Sequence, residues 1–170
     1  MWIFDPKLPT KLQTDYSKTG LGFYLTQKHC NCQKVDHDCC KEGWKITFCG
    51  SRFVKPAVSH YVPIEGEFLG VAWALEQTKY FTLGCPNLIV VVDHKPLCKV
   101  LGDKALEDIT NARLFKLKER TLPLQFSVVY SAGKLNYFAD GASRKTSGNK
   151  NEDDEESLEK ELMLEVSGLL

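Results

Sequence analysis

NLIVVVD, residues 87–93, is the stretch whose reading decides the fold. Five consecutive aliphatic residues, three of them valine, are too few for an independent helix and too uniformly apolar for a strand with one wet face. A run of that kind reads as a central strand buried on both sides, which requires neighbouring strands and covering helices. Upstream, residues 10–16 and 21–27 read as two strands joined at a Lys18-Thr19-Gly20 turn, and Trp44 to Arg52 as a third. Between them and the central strand, Ile64, Phe68, Val71, Ala72 and Leu75 recur at helical spacing, with Pro63 placed just outside the helix start. Downstream, Pro96 to Leu101 and Asn111 to Arg120 read as helices, Gln125 to Tyr130 as a final strand and Asn136 to Arg144 as a last helix. The sum is an α/β chain, an antiparallel meander followed by alternating helices and strands.

Four carboxylates stand where that pattern could bring them together: Asp15 in the strand KLQTDY (11–16), Glu67 in the first turn of the long helix, Asp93 closing NLIVVVD, and Asp140 in NYFADGASR (136–144). Taken singly, each of the 22 acidic residues reads as a solvated surface charge. Gathered together, carboxylates repel and lose hydration, so a cluster makes sense around divalent cations. Glu65 competes with Glu67 for the helical place. Glu67 lies three residues after Ile64 and four before Val71, bordering the buried stripe, while Glu65 is turned roughly 200° away from it.

Each carboxylate lies in a segment that resembles the ribonuclease H domain of gypsy-type LTR retrotransposon reverse transcriptases. LQTDYSKTGLGFYLTQ (12–27) is similar to the family's opening TDAS hairpin, and EGEFLGVAWALEQTKYFTLG (65–84) to its EKELLAIVWALE helix. VVVDHKPLCKVL (90–101) resembles TDHKPLxxLL, and SAGKLNYFADGASR (131–144) resembles PGKxNxxADALSR, in the family's order. Gly141 stands where Ala is usual, and valine replaces the Thr before Asp93. Four ordered motifs over residues 1–144 are far more specific than any one alone.

The resemblance implies a ribonuclease H-like fold, a five-stranded mixed sheet flanked by helices on both faces. It implies a nuclease that cuts the RNA strand of RNA–DNA hybrids during reverse transcription, leaving a 5′ phosphate and a 3′ hydroxyl. Asp15, Glu67, Asp93 and Asp140 would hold two Mg²⁺ (or Mn²⁺) about 3.5–4 Å apart, one activating water and the other stabilising the departing 3′ oxygen. Glu67, not Glu65, takes the metal-binding place because FLGVAWAL follows it directly. His94 would assist proton transfer or product release, or else fix the turn before Pro96. Tyr130 would line the hybrid or pack at the strand end. The implied partners are the hybrid and the polymerase domain of the same polyprotein. The polymerase YxDD motif is absent, so DNA synthesis is not expected of this chain. The alternative is a decayed or domesticated module that keeps the fold and binds nucleic acid or a polymerase without cutting.

Composition fits one such domain: 170 residues, 43% hydrophobic and 26% charged, are ordinary for a globular protein. No stretch approaches the roughly 18 apolar residues of a membrane span, and MWIFDPKLP lacks the features of a signal peptide. The expected location is intracellular, in the cytoplasm or a virus-like particle, with the nucleus also open. The net charge of zero conceals an asymmetry. Residues 1–144 hold 19 Lys and Arg against 14 Asp and Glu, a balance of +5, while 145–170 hold 3 against 8, a balance of −5. The first part is the expected domain, with a Cys-rich insert at about 29–43; the second is an acidic linker and tail, disordered or helical. A mildly basic body attracts phosphate but falls short of the dense basic face of a dedicated nucleic-acid binder.

The insert HCNCQKVDHDCC (29–40) gathers four of the seven cysteines. Cys30, Cys32, Cys39 and Cys40, with His29 and His37 beside them, supply enough soft ligands for one tetrahedral Zn²⁺, although the spacing departs from the paired CxxC of zinc ribbons. Reduced thiols on an exposed loop and a local disulfide are the competing readings. Cys49, Cys85 and Cys98 read as small core residues.

Overall fold

A computed structural model describes residues 1–33, 37, 39–40 and 43–132 of the chain. Strands β1 (Thr10–Tyr16), β2 (Gly20–Lys28), β3 (Trp44–Phe53), β4 (Leu88–Val92) and β5 (Ser127–Tyr130) form one sheet in the order β3-β2-β1-β4-β5. β1, β2 and β3 pair antiparallel, whereas β4 runs parallel to both β1 and β5. This is the expected five-stranded mixed sheet. The turn between β1 and β2 is tightened by Ser17, whose Oγ accepts from the Gly20 N–H at 3.0 Å. Every residue of β4 is buried, as the unbroken aliphatic run required.

The main helix, α1 (Pro63–Thr82), begins on Pro63 instead of after it. A first-turn residue has no intrahelical partner for its N–H, so proline loses nothing there and its fixed φ favours the helix. The helix ends before Gly84, whose φ of 77° supplies the left-handed residue common past a helix terminus. Helices α2 (Lys95–Leu101) and α3 (Ala112–Thr121) complete the described set. Asn111 caps α3, its side chain accepting from the N–H groups of Arg113 and Leu114 at 2.9 and 3.1 Å. Lys118 of α3 donates its Nζ to the carbonyls of Val100, at 2.7 Å, and Lys104, fastening α3 to the end of α2.

One core joins these parts. Leu12, Leu21, Phe23, Leu25, Val90 and Val92 from the strands meet Phe68, Val71 and Leu75 of α1, Leu97 and Leu101 of α2, and Leu114 and Leu117 of α3. Each fully buried side chain of this size contributes about 1.5–3 kcal/mol. All three described helices share this core on one face of the sheet. Tyr24, Ile89 and Val91, which alternate to the other face, are buried as well. The helix expected over residues 136–144, with Asp140, lies outside the described residues, as does the acidic 145–170 segment. Among the described residues no helix is long and apolar enough to cross a membrane.

Two cysteine readings need correction. Cys85 is buried, but Cys49 is exposed and Cys98 only partly buried. On edge strand β3 the alternation turns Phe48 inward, against Phe23 and Phe81, and therefore turns Cys49 out.

Candidate active site

The parallel register of β1 and β4 fixes where the acidic residues go. Leu12 is level with Val90 and Gln13 with Val91, and two further steps bring Asp15 level with Asp93 at the carboxyl ends of both strands. That end of an α/β sheet is where loops open a crevice for ligands. α1 crosses β1 and brings Glu67 to the same place. One carboxylate oxygen from each of Asp15, Glu67 and Asp93 lies within 4.8 Å of the others. Asp15 is buried, and Glu67 and Asp93 are half-buried.

Electrostatics records the crowding. Burial, followed by the charges of Asp93 and then Asp15, pushes the Glu67 carboxyl up to about 9, against a hydrogen bond from the Tyr16 backbone that works in the opposite sense. Glu67 is thus held protonated at neutral pH. Three hard oxygen donors on rigid elements, one of them unable to ionise unaided, are a donor set suited to Mg²⁺ or Mn²⁺.

Glu65 has a different task. Its Oε2 accepts from Arg113 Nη1 at 2.6 Å and its Oε1 from Asn111 Nδ2 at 3.0 Å, tying the start of α1 to the start of α3. It is buried and fully engaged away from Asp15 and Asp93. His94 N-caps α2 with its backbone, its carbonyl accepting from the Leu97 N–H at 2.9 Å, while its side chain makes no capping bond. Its ring Nδ1 is buried with no hydrogen-bond partner among the described residues. Tyr130 is 44% exposed at the end of β5, so packing does not occupy it. Asp140 lies outside the described residues.

Two residues that position the site escape a reading of motifs alone. Tyr16 follows Asp15; its ring lies on Gly66 of α1 and its hydroxyl donates to the Val58 carbonyl at 2.8 Å. A Cβ on Gly66 would meet that ring at 2.2 Å. Without that close approach Tyr16 could not set its backbone N–H against Glu67. The signal was a glycine inside an otherwise strong helix, which normally costs about 1 kcal/mol and asks for a packing reason.

At the opposite end of β1, the insert between β2 and β3 brings the thiols of Cys30, Cys32, Cys39 and Cys40 within 4.8 Å of one another, all unbridged. Burial raises the Cys30 thiol, but hydrogen bonds from the Cys32 backbone and the surrounding sulfurs outweigh it and bring Cys30 down to about 7. His29 and His37 are not in this group. His29 packs on Trp2 at 4.7 Å between ring centres, and the His37 carbonyl accepts from Lys11 Nζ at 2.9 Å.

A family model for the RNase H-like domain found in reverse transcriptase matches residues 5–120. The retrovirus-related Pol polyprotein from transposon gypsy of Drosophila melanogaster is 32% identical over 140 residues, 82% of this chain and 12% of that protein. The chain therefore spans about an eighth of the length of this relative. Among solved structures, RNase H1 from the archaeon Halobacterium salinarum superposes with a TM-score of 0.54 at 13% identity, over 81% of this chain and 95% of that one. LC11-RNase H1 in complex with an RNA/DNA hybrid gives 0.53 at 11% identity, over 81% and 94%. At such identities the likeness establishes the fold.

Proposed function

The chain belongs to the family of RNase H-like domains found in reverse transcriptase, and from that premise we propose that it is a metal-dependent endonuclease cutting the RNA strand of RNA–DNA hybrids within a retrotransposon Pol polyprotein. The convergence of Asp15, Glu67 and Asp93 at the carboxyl ends of β1 and β4 carries this reading. Asp15 on β1 and Asp93 directly after β4 hold the fixed side of the cation site, and Glu67 closes it from α1. Asp140 is assigned as the fourth carboxylate on its ADGASR motif. Bound there, two Mg²⁺ or Mn²⁺ would supply an activated water and stabilisation of the departing 3′ oxygen. Glu67 releases its proton as the site fills, so occupancy rises with pH. His94, beside Asp93, would take or give a proton at the reacting phosphate.

Selectivity for the hybrid comes from the 2′ hydroxyls and groove shape next to the cut, which need no sequence preference. The polymerase portion of the polyprotein supplies the additional grip on the duplex that a body of +5 lacks. The setting is intracellular, where reverse transcription makes such hybrids. The test is cleavage of a labelled hybrid with and without Mg²⁺, in wild type and Asp93→Asn. Wild type should cut only with metal, and the variant should be slower by about 100-fold or more, because an amide cannot replace a carboxylate on the cations. Undiminished cleavage by Asp93→Asn would remove the assignment.

A further inference from the structure

We propose that Cys30, Cys32, Cys39 and Cys40 form a tetrahedral structural zinc site that closes the long connection between β2 and β3. Connections between adjacent antiparallel strands usually run 2–5 residues. This one extends from His29 to Gly43, with nothing in its composition to build a core of its own. Its four thiols nevertheless converge within 4.8 Å, and Cys30 and Cys39 approach to 3.5 Å, near the sulfur separation expected around one zinc and far too long for a disulfide.

The surroundings are arranged for these sulfurs. A Cβ on Gly43 would fall 2.4 Å from the Cys40 sulfur and 2.7 Å from that of Cys30, so only glycine leaves room for the group. Zinc held by four thiolates carries a net charge of −2, which needs positive neighbours and backbone donors. Two buried lysines reach the insert: Lys28 Nζ donates to the Cys32 carbonyl at 2.5 Å and Lys11 Nζ to the His37 carbonyl at 2.9 Å. The Lys28 ammonium lies close enough for its charge to favour the Cys39 thiolate, and Lys11 fastens the insert to β1.

The site is separate from the carboxylates. Gln27 pairs with Thr10 at one end of β1, while Asp15 pairs with Gly22 five residues further on, about 17 Å away. Soft sulfur ligands select zinc and hard oxygen ligands magnesium, so the two sites would not exchange their ions.

The full chain, purified under reducing conditions without chelator, should contain about one zinc by elemental analysis. Replacement by Co²⁺ should give the intense visible absorption of tetrahedral cobalt thiolate. Cys39→Ser with Cys40→Ser should abolish both signals, Gly43→Ala should weaken zinc binding at least 10-fold, and Cys49→Ser should change neither. If the double variant fails to fold, chelation of the wild type should release one zinc and lower its melting temperature. Hybrid cleavage by the double variant below its melting temperature should stay within a few-fold of wild type. Zinc-free protein from zinc-supplemented cells, with four freely reactive thiols or a Cys30–Cys39 disulfide, would overturn the proposal.

Discussion

Arg113 reaches from α3 to Glu65 on α1 with a 2.6 Å ion pair, and its guanidinium lies 4.0 Å above the Tyr61 ring. The pair ties the first turn of α1 to the start of α3, away from Asp15 and Asp93. Arg113→Ala leaves buried Glu65 with Asn111 alone and removes the stacking, so it should destabilise the fold by about 1–3 kcal/mol. The metal requirement should be unchanged well below the melting temperature. Denaturant unfolding and a Mg²⁺ titration of cleavage separate the two effects; an altered metal requirement with intact stability would make Glu65, not Glu67, the ligand.

Glu67 makes metal-free stability depend on pH. Its folded carboxyl titrates near 9 against 4.5 when unperturbed, so between those values the native state retains a proton that the unfolded chain has released. Stability from this group is full below pH 4.5 and is lost as pH rises towards 9. Glu67→Gln should therefore raise the melting temperature in EDTA, with a gain that grows from pH 5 to pH 8. Its size should be on the order of 1–3 kcal/mol at pH 8, less than the full shift because water screens a half-buried group. Saturating Mg²⁺ should reverse the ranking by stabilising wild type alone. A pH-independent difference would mean that Glu67 does not sit against two other carboxylates.

Gly66→Ala tests the Tyr16 contact. The new methyl meets a ring anchored at its hydroxyl and unable to swing aside cheaply, so the helix must lift from β1. A loss of about 1–3 kcal/mol is expected, as for overpacking generally. Apparent Mg²⁺ affinity should fall in the same variant because the lift carries Glu67 with it. Unchanged metal affinity in a variant of reduced stability would separate Tyr16 from the site.

Charge sets a bound on hybrid affinity. With only +5 on residues 1–144 and no Lys- or Arg-dense segment to neutralise many phosphates, the log–log dependence of binding on salt should be shallow. Removing residues 146–170, which hold 2 Lys against 8 Asp and Glu, a balance of −6, should tighten binding at low salt and have little effect at high salt. Equal affinities in low-salt filter binding would show the segment to be electrostatically idle.

The sequence by itself determined the five strands and three main helices of the described residues and their order, because period-2 and helical patterns are local and NLIVVVD can be satisfied only by burial on both faces. It also placed Asp15 and Asp93 at strand ends, and the family motifs named Glu67 beside them. Only the tertiary structure decided what each acidic group faces. Glu65 and Glu67 differ by two residues on one helix, and it is the Arg113 and Asn111 of another helix that claim the first and leave the second to the strand ends. In the same way, Cys49 is apolar enough for a core but sits on the outer side of an edge strand, while four thiols at irregular spacing converge between β2 and β3. Local propensity fixes which way a side chain leaves the backbone. What it meets is set by packing between segments far apart in the chain.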